Sequence, residues 1–84
     1  MIKEIRVNNI QKYINAFVEA FTIPEENVEN LKYQDIEEWD SVGHMSLMAL
    51  IEDAFEIMMD IDDIIDFGSF LKGKEILAKY NVIL

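Results

Sequence analysis

The residues of this chain that could do chemistry lie close together at Asp40, Ser41 and His44. A serine hydroxyl acts as a nucleophile when an oriented base is held against it. Ser41 and His44 are one helical turn apart, but catalysis also needs an oxyanion site inside a pocket. Neighbours on an exposed turn of a small domain offer neither an oriented base nor such a site. We therefore expect no enzymatic activity and an exposed His44.

Ser41 is better placed to carry a phosphate group. Asp40 is expected to cap a helix that begins at Ser41, because its carboxylate can accept from the free amides of the first turn. A phosphodiester on Ser41 would then lie beside unpaired backbone N–H groups, at the positive end of the helix dipole. Position alone favours the simpler interpretation that Ser41 is an ordinary helix-starting serine, since serine is a preferred residue at helix starts.

The negative charge of the chain is concentrated around Ser41. The formal net charge is −10, and residues 33–71 hold eleven acidic side chains and no Lys or Arg. The rest of the chain has six acidic and seven basic side chains. This charge disfavours binding to nucleic acid and to anionic membranes, and a partner that recognises Ser41 should be basic.

Composition sets further bounds. With 84 residues, 51% of them hydrophobic, the chain should fold as a single domain over 1–84. The absence of cysteine excludes disulfides and thiolate metal sites. No apolar run approaches the roughly 20 residues that span a bilayer, and the N-terminus lacks a signal-peptide layout. We therefore expect a cytoplasmic protein.

The acidic run over 60–63 could suggest a calcium loop. The pattern fails because Ile64 and Ile65 occupy the fifth and sixth loop positions, where an EF-hand needs an acidic ligand and a glycine. We predict a solvated acidic face and no metal site.

Apolar spacing predicts an all-α fold with three main helices and one short helix. The first helix should start at a cap on Asn8 or Asn9, with an extra upstream turn at Ile2 and Ile5 left open, and Pro24 should end it. A long loop over 25–40 should follow, pinned by buried anchors at Val28, Leu31, Tyr33, Ile36 and Trp39.

The second helix should bury a stripe of apolar residues, widened by Leu47 and Leu50. Its members are Val42, Met45, Met48, Ile51 and Phe55. A one-turn helix around Ile61, Ile64 and Ile65 should precede a final helix, which is capped by Ser69 and marked by Phe70, Leu71, Leu77 and Tyr80.

Gly43 and the methionines each allow two interpretations, and Gly73 allows one. Gly43 is either a tolerated weakness in the helix or clearance for a group on Ser41 or for an approaching enzyme. Gly73 should allow close approach of a neighbouring helix. The methionines at positions 45, 48, 58 and 59 are predicted core fillers, whose flexible side chains could also part to admit an apolar chain.

The run Asp40-Ser41-Val42, after a long loop and before an apolar helix ending in Glu52-Asp53-Ala54-Phe55, resembles the acyl carrier protein family. In that family the serine carries 4′-phosphopantetheine, whose thiol holds an acyl or aminoacyl group as a thioester. The resemblance covers nearly the whole chain. It implies the four-helix bundle of that family, with Ser41 as the attachment site and Asp40 as its flanking residue.

The resemblance also implies partners: a phosphopantetheinyl transferase, an acyl- or aminoacyl-activating ligase, and a downstream transferase or synthase that meet a monomeric carrier. They would bind the second helix at Val42, Ser46, Ala49, Glu52, Asp53 and Glu56. Val42 replaces the usual leucine, and Ser46 and Ala49 replace a common acidic residue and a common methionine. The cargo stays open, and an unmodified acidic helical module that binds a basic partner remains the alternative function.

Overall fold

The computed structural model describes residues 8–84, and in these residues the chain forms four α-helices and no strand. They are α1 (Asn9–Phe21), α2 (Ser41–Phe55), α3 (Ile61–Asp66) and α4 (Phe70–Ala78). The all-α prediction, with a short third helix and a long first loop, is confirmed for this part of the chain. The possible extra turn at Ile2 and Ile5 lies outside the described residues. Within residues 8–84 no helix combines the length and apolarity needed to cross a membrane.

Local hydrogen bonds define both ends of helix α1. The Asn8 side chain accepts a hydrogen bond from the Gln11 amide at 2.9 Å, as expected of a cap. Thr22 adopts a left-handed conformation (φ 54°), and its amide donates to the Val18 carbonyl at 2.8 Å. The helix therefore ends before Pro24, which instead caps a single 3-10 turn, Glu25–Asn27, inside the loop.

An aromatic cluster forms the centre of the core. The ring of Phe17 meets Tyr13 edge-on at 5.1 Å and Trp39 edge-on at 5.5 Å between centroids. The buried Tyr13 hydroxyl donates to the Phe70 carbonyl at 2.7 Å, and burial raises the pKa of this phenol. The core thus joins α1, the long loop and the start of α4.

The predicted apolar stripe of α2 is confirmed along most of the helix but is wrong at its start. Leu47, Met48 and Ile51 are buried, whereas Val42 is 75% exposed and Met45 is 53% exposed. Spacing is therefore a correct guide at Met48 and Ile51 but not in the first turns, because α2 is apolar on most of its circumference. Val42 and Met45 are therefore surface residues beside Ser41.

The long loop is anchored as predicted, with one exception. Val28, Leu31 and Trp39 are buried, Ile36 is half-buried, and Tyr33 is exposed. The loop also pairs with the segment before α4, because the Tyr33 amide donates to the Gly68 carbonyl at 2.9 Å. This pairing holds the residues that precede Ser41 against the body of the protein.

Helix α4 begins and packs as predicted but ends early. Ser69 Oγ accepts from the Lys72 amide at 2.9 Å. A side chain at Gly73 would overlap the Tyr13 hydroxyl and the Phe67 ring, so the predicted close approach is confirmed. Tyr80 lies beyond the helix end, and Leu71 is exposed.

The acidic run over 60–63 is not entirely solvated. Asp60 and Asp62 are exposed, but Asp63 is buried and accepts from Lys79 Nζ and from the Tyr80 hydroxyl, each at 2.5 Å. These two donors lower the pKa of Asp63. The prediction is wrong at Asp63 because its partners come from beyond α4, far along the chain.

Candidate functional site

Ser41 is the first residue of α2, and its side chain is exposed. Asp40 caps the helix, since its Oδ1 accepts from the Gly43 amide at 2.8 Å. The amides of Ser41 and Val42 belong to the set that a helix start leaves without intrahelical partners. An anion attached to Ser41 would therefore be close to backbone donors and to the positive end of α2.

Gly43 is required by packing inside the protein. A Cβ at this position would overlap the Glu38 carbonyl oxygen and lie 3.3 Å from Cε1 of Phe21. The loop backbone crosses the first turn of α2 at a distance that no side chain permits. The structure thus gives Gly43 a reason that neither sequence interpretation included.

His44 is half-buried and engaged on both ring nitrogens, so the expectation of an exposed histidine is wrong. Trp39 Nε1 donates to Nδ1 at 2.9 Å, and Nε2 lies 2.8 Å from the Ile64 carbonyl oxygen. An indole N–H can only donate, so Nδ1 carries no proton and Nε2 donates to Ile64. With both nitrogens occupied, His44 is not an available base for Ser41.

Ser41 lies at the edge of an apolar groove between α2 and α3. The groove has a volume of about 390 Å³. It is lined by Tyr33, Ser41, His44, Met45, Ile61, Ile64, Ile65, Phe67 and Gly68. On its outer wall Ile61 is 67% exposed and Ile65 is 72% exposed. A groove with this lining suits an apolar ligand attached to, or arriving beside, Ser41.

Sequence reasoning did not identify this groove, although one signal for it was present. Ile61 and Ile65 are four residues apart on a helix whose other residues are mostly acidic. Two isoleucines on one side of a short charged helix indicate a surface that faces something apolar. Tyr33 and Gly68 come from distant segments, and no local pattern marks them.

Two of the four predicted core methionines are not core residues. Met48 and Met59 are buried, as core fillers should be. Met45 lines the groove, and Met58 is 85% exposed. Of these four methionines, Met45 is therefore the one whose flexible thioether side chain lines the groove.

The predicted partner face on α2 is accessible except at one position. Val42, Ser46, Ala49, Asp53 and Glu56 are exposed along the helix. Glu52 is half-buried, and its Oε2 accepts from the Met59 amide at 2.9 Å. Glu52 thus stabilises the chain segment that follows α2, a role that sequence reasoning did not assign to it.

Acidic side chains flank the groove on both sides. The loop before Ser41 and the helix α3 both expose carboxylates: Asp35, Glu37, Glu38, Asp40, Asp60, Asp62 and Asp66. Among residues 8–84 no three His, Asp or Glu side chains are grouped so that they could hold a metal ion. The field around Ser41 is negative and favours the approach of a basic surface.

Comparisons of the chain with models of known protein families, with curated proteins and with solved structures found no match.

Proposed function

We propose that this protein is an acyl carrier protein that holds its cargo as a thioester on a 4′-phosphopantetheine arm attached to Ser41. One observation carries the proposal: an exposed serine begins α2 and borders an apolar groove. The resemblance at Asp40-Ser41-Val42 predicts this attachment, and the helix order of residues 8–84 is the order that the resemblance implies. The bundle fold of that family is part of the same proposal.

The attachment step suits the start of α2. A phosphopantetheinyl transferase would form a phosphodiester between Ser41 Oγ and the arm of coenzyme A, and the nucleotide part would leave. The diester charge would then lie next to the positive end of the helix. The Asp40 carboxylate, which accepts from the Gly43 amide, keeps its charge, so the backbone donors and the dipole of α2 would have to offset its repulsion of the diester.

The lining of the groove favours an apolar acyl group over an aminoacyl group as cargo. Ile61, Ile65 and Met45 line the groove next to Ser41, and each of these apolar side chains is more than half exposed. A charged amine placed there would lose hydration without gaining a partner from these side chains. An acyl chain that folded back from the arm would instead bury apolar surface against them.

The surroundings of Ser41 fit enzymes with basic docking surfaces. The proposed partners are the phosphopantetheinyl transferase, an acyl-activating ligase and a downstream transferase or synthase. Exposed carboxylates on the loop and on α3 would attract their Lys and Arg side chains, and the attraction would weaken as salt is added. Fast, salt-sensitive docking allows a carrier to move between successive enzymes.

Intact mass tests the attachment. The chain is incubated with coenzyme A and a broad-specificity phosphopantetheinyl transferase, and we expect the mass of one phosphopantetheine to be added. Ser41→Ala should gain nothing, whereas the natural chain in the same reaction should gain one phosphopantetheine. No added mass, or modification of Ser41→Ala, contradicts the proposal and leaves the acidic interaction module as the better account.

A further inference from the structure

The position of α3 depends on contacts with the rest of the protein. A helix of six residues is not stable by itself in water. Near its start, Asp63 binds Lys79 and Tyr80, and the Asp60 amide donates to the Tyr80 hydroxyl at 2.8 Å. These contacts join α3 to the end of α4 but not to α2.

A single side chain makes the polar connection from α2 to α3. The Ile64 carbonyl is one of those that the end of a helix leaves without an intrahelical partner. It receives a long hydrogen bond of 3.4 Å from the Phe67 amide and a shorter one of 2.8 Å from His44 Nε2. The imidazole is therefore the closer partner of this carbonyl, at an ordinary hydrogen-bond distance.

The His44 ring is itself held in place. Trp39 is fully buried, and its indole N–H donates to Nδ1. The ring of Tyr33 covers the imidazole edge-on at 5.6 Å between centroids, and Phe67 contacts it at 6.3 Å. Two hydrogen bonds in series thus run from the buried indole through the imidazole to the carbonyl of α3.

We propose that His44 is a positioning residue that sets the distance between α3 and α2, and with it the width of the groove beside Ser41. Together, the indole donor at Nδ1 and the carbonyl acceptor at Nε2 select one arrangement, a neutral imidazole with its proton on Nε2. Loss of this connection releases the wall that carries Ile61 and Ile65. The effect of the groove width on bound cargo rests on the proposed function. The hydrogen bonds that run through His44 do not depend on it.

The tautomer is the first test, and it uses the unsubstituted, unmodified chain. Long-range 15N–1H NMR spectra of the imidazole at neutral pH should show a protonated Nε2 and an unprotonated Nδ1. A protonated Nδ1 overturns the proposal, because Trp39 would then have no acceptor.

Substitutions at His44 separate positioning from simple packing. Gln can place an N–H donor at the position of Nε2, whereas Phe keeps the aromatic volume and removes both hydrogen bonds. We expect His44→Phe to speed hydrogen exchange at the Ile64 and Phe67 amides by about 2- to 10-fold, the equivalent of one lost hydrogen bond. His44→Gln should stay closer to the natural chain, and Glu19→Gln, an exposed substitution on α1, should match it.

A packing role predicts the reverse order, so slower exchange in His44→Phe than in His44→Gln overturns the proposal. Exchange that is unchanged in both variants overturns it as well. If His44→Phe does not fold, the tautomer and the His44→Gln exchange rates decide the outcome. None of these measurements uses phosphopantetheine, so a failure of the carrier assignment and a failure of the His44 assignment are distinguishable.

Discussion

Gly43→Ala should destabilise the protein although alanine is the better helix former. Helix propensity alone predicts a gain of up to about 1 kcal/mol in the free energy of unfolding. The added Cβ would overlap the Glu38 carbonyl oxygen and crowd the Phe21 ring. Overpacking of this kind costs about 1–3 kcal/mol. We expect a cost near the upper end, because the overlapped atom is the Glu38 backbone carbonyl oxygen, and Glu38 is followed directly by the buried Trp39. The net expectation is a loss of about 2 kcal/mol.

Urea unfolding followed by the fluorescence of the single tryptophan measures this loss. Thermal unfolding should show a decrease in Tm of roughly 8–16 °C for a domain of this size. Gly68→Ala is the matched control, since its Cβ would meet only the Asp66 carbonyl oxygen at an ordinary 3.7 Å. If Gly43→Ala is as stable as the natural chain or more stable, the close passage of the loop over α2 is refuted.

Three further predictions concern the rest of the fold. Leu47→Ala should lower the free energy of unfolding by about 2–5 kcal/mol, whereas Met45→Ala should change it by less than about 0.5 kcal/mol; equal losses in urea unfolding would contradict the assigned face of α2. Asp40→Ala should lower it by about 1 kcal/mol through loss of the cap, and a neutral effect would contradict the hydrogen bond to the first turn. Because its donors lower the pKa of Asp63, its contribution to stability is present above the ordinary carboxyl range and is lost as the pH falls through that lowered pKa. Asp63→Asn should therefore lower Tm at neutral pH and approach the natural chain in acid; a difference that does not depend on pH would contradict the pairing with Lys79.

Features set by neighbouring residues were predictable from the sequence. The caps at Asn8, Asp40 and Ser69 join side chains to amides three residues away, so the residue types indicate them directly. The close approach at Gly73 followed from its position between Phe70 and Leu77 on one helix face. The order and approximate bounds of the helices followed from apolar spacing for the same reason.

Features set by distant residues were not predictable. His44 binds a carbonyl twenty positions away, and Asp63 binds an ammonium sixteen positions away. No local pattern reports such a pairing, so both side chains were expected at the surface. Apolar residues cover most of the circumference of α2, so spacing did not show that Val42 and Met45 lie at the surface.

Fragment mass spectrometry of the chain after incubation with coenzyme A and the transferase tests the central claim most directly. The chain has serines at positions 41, 46 and 69, so the fragments distinguish them. The account predicts one phosphopantetheine per chain, located on Ser41. Its absence under conditions that modify a known carrier, or its location on Ser46 or Ser69, would contradict the account.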